Sequence, residues 1–72
     1  LDIEIESQIM GSVWKIETSI GEAVQPEDLL LIIESMKMEI PVEAPRAGHV
    51  SEIRVREGQT VEEGDVLVVL TD

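Results

Sequence analysis

The segment Glu34-Ser35-Met36-Lys37-Met38-Glu39 holds the densest set of residues able to do chemistry in this chain. A lysine stands between two methionines, with a carboxylate beyond each. Apolar, strand-like residues flank the segment on both sides, which predicts the tip of a hairpin. Two-residue hairpin turns favour Asn-Gly or Asp-Gly, and Met-Lys lacks that turn chemistry. A place where local chemistry breaks its rule is more often functional than an average stretch. Two thioethers beside an ammonium also leave apolar surface where tips ordinarily carry polar groups. Glu34 and Glu39 raise the question of acid–base catalysis, yet no second catalytic group accompanies them. They read as solvated charges, and no residue is assigned a catalytic role.

Other chemistry finds little support. His49 is alone, with no partners at metal-ligand spacing, so no metal site is expected. Cysteine is absent, which removes thiol catalysis, thiolate metal sites and disulfides together. The five glycines show no G-x-x-x-x-G-K-[ST] phosphate loop. With 16 Asp and Glu against five Lys and Arg, the net charge is −11. That surface repels phosphate backbones and anionic lipids, so neither nucleic acid nor membrane is an expected partner. Arg46, Arg54 and Arg56 are too few against that background to form a basic patch.

Seventy-two residues allow one small domain, taken as residues 1–72. The 43% hydrophobic content is too high for a disordered tail. Trp14 is the only aromatic residue, and by its type it is expected in the core. The longest apolar run, Leu29–Ile33, falls far short of the roughly 20 residues that cross a bilayer. No basic stretch followed by an apolar one opens the sequence, which leans toward a cytoplasmic location.

The elements that must present the tip follow from an internal repeat. Residues 5–35 align without a gap over residues 42–72, an offset of 37 residues. Gly11/Gly48, Val13/Val50, Gly21/Gly58, Val24/Val61 and Asp28/Asp65 are identical, and other positions exchange one aliphatic for another. Two copies are too few for a solenoid, so a pseudo-two-fold domain is expected, each half completing the other. Within each half the pattern is strand-like. Asp2–Glu6 alternates strictly, as a strand with one wet face does. Gly11–Glu17 and Gly48–Arg56 are short β-branched runs beginning at glycine. Leu29–Ile33 and Val66–Leu70 are continuous apolar runs, expected to be buried on both faces. Pro26, Pro41 and Pro45 exclude a long helix. The expected class is all-β, a sandwich or flattened antiparallel barrel.

The tip segment closely resembles the attachment motif of biotinyl domains, the biotin carboxyl carriers of biotin-dependent carboxylases. The resemblance extends through Ala44-Pro45, Gly48, Val50, Gly58, Val61, Gly64-Asp65 and Leu67, so it spans essentially the whole chain. It implies a flattened barrel of two four-stranded sheets related by a quasi-two-fold axis. It also implies biotin joined through an amide to the ε-amine of Lys37, with Met36 and Met38 forming the surface that the biotin protein ligase recognises. Glu34, Ser35 and Glu39 would shape the environment of the tip. A biotin carboxylase and a carboxyltransferase are the further partners implied, the carboxyl group passing to an acceptor such as an acyl-CoA. The chain itself would be a non-catalytic carrier.

Departures from the pattern are modest. The commonest form has Ala where Ser35 stands, Ser7-Gln8 replaces a frequent Ala-Pro, and Glu27 replaces the glycine found at Gly64. The gapless repeat leaves no room for the protruding thumb of some acetyl-CoA carboxylase carriers, which places the chain with the minimal, thumbless type. Two other functions compete. Lipoyl domains share the fold and the lysine but usually show Asp-Lys-Ala at the tip. An unmodified β-module for protein–protein interaction would give Lys37 no special role.

Overall fold

The 37-residue offset carries over to every element. The computed structural model describes residues 2–72. β1 (Ile3–Glu6), β2 (Gly11–Ile16), β3 (Ala23–Val24) and β4 (Leu29–Ser35) make up the first half. β5 (Met38–Glu43), β6 (Gly48–Ile53), β7 (Thr60–Val61) and β8 (Val66–Thr71) make up the second. One sheet has the order β1-β8-β6-β3 and the other β5-β4-β2-β7, all neighbours antiparallel. Exchanging each strand for its repeat partner turns one order into the other. The halves therefore interlock, because each sheet draws two strands from each copy.

The symmetry reaches single hydrogen bonds. Val13 N–H donates to the Gln59 carbonyl at 2.8 Å, and Val50 N–H to the Glu22 carbonyl at 3.0 Å. Irregularities repeat as well: the β2–β4 ladder shifts between Val13 and Lys15, the β6–β8 ladder between Val50 and Glu52. The connections are equally matched, residues 7–10 against 44–47 and 17–22 against 54–59, so no thumb protrudes.

The core is purely aliphatic, centred on Leu30, Leu31, Ile33, Leu67, Leu70, Val13 and Val50. Val13 and Val50 are repeat mates, as are Leu30 and Leu67. Burying these side chains drives the two sheets together, each contributing about 1.5–3 kcal/mol relative to exposure.

Three expectations need correction. Trp14 is not a core residue: it is 46% exposed. It falls at the ladder shift between Val13 and Lys15, where it has no cross-strand partner in β4, and the buried side chain of that stretch is Val13. The Leu29–Ile33 run is not buried throughout either, because Leu29 at the start of β4 is exposed. The second run fares better, with Leu67 to Leu70 all buried. Both long glycine-led runs end sooner than their composition suggested, at Ile16 and Ile53.

The turns before β4 and β8 differ in one informative residue. Asp28 N–H bonds back to the Gln25 carbonyl and Asp65 N–H to that of Glu62, both at 3.1 Å. The third turn residue has positive φ in each, 93° at Gly64 and 74° at Glu27. A side chain there costs about 1–2 kcal/mol that glycine avoids, against a smaller entropic cost of glycine itself. Glu27→Gly is therefore expected to stabilise the fold by about 0.5–1 kcal/mol, roughly 2–8 °C in Tm, in a thermal melt against the native chain.

Candidate functional site

Among the described residues, β4 and β5 are the one pair of consecutive strands that bond to each other, a hairpin paired in register from Ile33↔Ile40 through Glu34↔Glu39 to Ser35↔Met38. Only Met36 and Lys37 are left to make the turn, and both have positive φ, 52° and 64°. Positive φ at both central residues is the signature of a type I′ turn, whose twist matches that of the flanking strands. The geometry is thus the one hairpins prefer, built from residues that do not prefer it. A non-glycine residue in this region costs about 1–2 kcal/mol, and here two stand side by side. The unbroken pairing below, from Leu31↔Val42 to Ser35↔Met38, holds them there.

The result is a lysine at the apex of a rigid projection. Lys37 is exposed, and Met36 and Met38 beside it are 88% and 63% exposed. Glu34 and Glu39 lie directly opposite each other one pair below Ser35 and Met38, both exposed. Like charges in that position disfavour the pair slightly, and they surround the ammonium with negative potential. The six residues of the tip segment are thus brought together as expected.

Two further contacts fix the tip to the barrel, and the sequence reading found neither. The Ser35 hydroxyl donates to the Met10 carbonyl at 2.9 Å, latching the last pair before the turn to the loop before β2. Beside it, Gly11 comes so close that an added Cβ would sit 2.6 Å from the Glu34 carbonyl oxygen and 3.2 Å from the Ser35 Cβ. The glycine at the head of β2 could have suggested such an approach, but neither its partner nor the role of Met10 has a signal in the sequence. Asp72, the repeat mate of Ser35, makes an ion pair instead, with Arg46 at 2.7 Å. Ser35→Ala is expected to cost about 0.5–1.5 kcal/mol in chemical denaturation, the net worth of one hydrogen bond.

No cluster of three or more His, Cys, Asp or Glu able to hold a metal occurs among the described residues. An apolar groove runs between β1 and β5, lined by Ile3, Ile5, Ile9, Ile33, Ile40 and Val42 among others, and none of Ser35 to Met38 lines it. His49 is exposed on β6. What the tip can do is present one primary amine, unobstructed, to the active site of another protein.

Comparison with known proteins agrees with this geometry. Residues 3–70 match the biotin/lipoyl family described as biotin-requiring enzyme. The chain is similar to the biotin/lipoyl attachment protein of Bacillus subtilis, with 41% identity over 68 residues, covering 94% of this chain and 93% of that protein. It is similar to the biotin carboxyl carrier protein of Streptococcus mutans, 42% identical over 83% of this chain and 46% of that one. Among solved structures, the urea carboxylase of Kluyveromyces lactis superposes with a TM-score of 0.93 at 34% identity, over 99% of this chain. The chain spans only 6% of that enzyme, whereas it spans nearly all of the Bacillus protein. On residues, fold and tip geometry together, the chain belongs to the biotin/lipoyl attachment family of biotin-requiring enzymes.

Proposed function

We propose that this protein is a biotin carboxyl carrier, with biotin held in amide linkage on the Nζ of Lys37. The observation that carries the reading is the tip: an exposed lysine at the apex of a strained two-residue turn, in a chain of this family. The residues fit the group. The lysine stem supplies reach, the exposed apex admits a ligase, and the paired strands beneath keep the attachment point in one place.

Each residue has a distinct task. Lys37 gives the nucleophilic amine, which attacks the activated carboxyl of biotin while the leaving group departs and the amine loses a proton. Met36 and Met38 offer the ligase a desolvatable apolar surface on either side of the amine. Ser35 and the β4–β5 ladder orient the hairpin, and Glu34 and Glu39 set the local charge. Once attached, biotin supplies a ring able to accept and release a carboxyl group. The chain brings no catalytic group to that exchange, so a biotin carboxylase and a carboxyltransferase perform it, with residues 1–72 acting as one carrier domain. Tethering raises the effective concentration of the group at each partner to about the millimolar range.

The direct test is intact mass after expression with biotin and active biotin ligase. A gain of about 226 Da, one biotin less one water, is expected. An unmodified mass in a folded domain would sink the reading. The similarity to the Bacillus biotin/lipoyl attachment protein favours a second reading, that lipoate is accepted at the same lysine. Incubation with a lipoate ligase, read as an added mass of about 188 Da, separates the two.

A further inference from the structure

The chain has three methionines and no cysteine, and all three methionines lie at one end of the barrel. Met36 and Met38 flank Lys37, while Met10 is tied to the turn end of the hairpin through its carbonyl and Ser35. They are 88%, 63% and 59% exposed, the last being Met10. The core cluster, by contrast, contains only Ile, Val, Leu and Ala. Sulfur is therefore absent from the part of the molecule that holds the fold together and concentrated in the part that handles Lys37.

We propose that Met10, Met36 and Met38 form one oxidisable surface around Lys37, and that converting their thioethers to sulfoxides switches off recognition of the lysine by its ligase. The proposal rests on the carrier reading. The oxidant is a peroxide. It transfers one oxygen atom to each sulfur, the sulfur loses two electrons, and the peroxide leaves as water. Methionine sulfoxide reductases, which act at the expense of a thiol pair, return the thioether and release water. Exposure sets the susceptibility, and these three side chains meet solvent freely. The consequence follows from polarity. An apolar flank that a partner desolvates becomes a strongly polar, chiral group, and seating it in an apolar site leaves its oxygen unpaired. With no sulfur in the core, the modification leaves the barrel intact and acts on the tip alone.

The test oxidises the whole domain with hydrogen peroxide before presenting it to biotin ligase. The expected result is a gain of about 48 Da, mapped to Met10, Met36 and Met38, with an unchanged melting temperature. The kcat/KM for biotinylation should fall at least about tenfold and return after treatment with methionine sulfoxide reductases A and B. The reductase step assigns the effect to methionine rather than to Trp14. An unchanged rate in the oxidised, folded protein would overturn the proposal, as would a loss of rate that persists once the mass has been restored. Unoxidised protein in the same assay reports on the carrier reading by itself.

Discussion

Lys37→Gly should leave the domain more stable and wholly unable to take up biotin. Lys37 has a φ of 64°, where a side chain is strained and glycine is not. Relief of that strain, less the entropy glycine loses on folding, is expected to give about 0.5–1 kcal/mol in a denaturant titration. The same protein should show no mass gain with ligase and biotin. Lys37→Arg separates the two effects. It keeps the charge and the strained backbone, so stability should stay near native, yet a guanidinium forms no such amide under these conditions and uptake should again be absent. Lys15, the only other lysine, should not take over: it is exposed, but it sits on paired strand β2 rather than on a turn. Uptake by either variant would refute Lys37 as the attachment point. A stable, inactive Lys37→Gly protein would show that strain is retained at this position for function.

The second large effect uses the pseudo-symmetry as its own control. Gly11 and Gly48 are repeat mates, and a Cβ on either would sit within 2.6–2.7 Å of a main-chain carbonyl oxygen, that of Glu34 or Thr71. Backbone cannot swing aside as a side chain end can. Gly11→Ala and Gly48→Ala are each expected to destabilise by about 1–3 kcal/mol, as overpacked sites do. Their functional effects should differ. Gly11 abuts the last two pairs before the turn, so its alanine variant should displace Glu34 and Ser35 and slow biotinylation of the folded fraction. Gly48→Ala places its clash at the other copy, against the Thr71 carbonyl and away from the tip, and should leave that rate near native. Equal rates in the two variants would mean that the tip tolerates movement of its base.

How much of this was legible in the sequence depends on which forces are periodic. The repeat predicted the architecture because each aliphatic position and turn recurs at one offset, and a core built of two interlocked halves needs that recurrence. The tip was legible because Met-Lys violates turn preference between two strands. Residue type alone misplaces Trp14, because type carries no information on which face of β2 it occupies. Val13 is the buried neighbour, and the ladder shift that leaves Trp14 without a partner depends on pairing with β4, which no local pattern reports. The Ser35–Met10 latch and the Gly11 approach join residues more than 20 positions apart. Only the folded register brings them together.

The absence of slack in the β4–β5 hairpin has a consequence for delivery. Pairing runs to the last residue before the turn, so with biotin on Lys37 as proposed, the paired strands hold the anchor and the lysine stem with its cargo sweeps out the space. That leash is short beside a body 33 Å long. Two active sites farther apart than the leash allows cannot be served by a swing of the side chain. The whole barrel has to travel between them as a rigid shuttle, and how often it arrives is set by whatever tethers or docks the barrel, not by the flexibility of its tip.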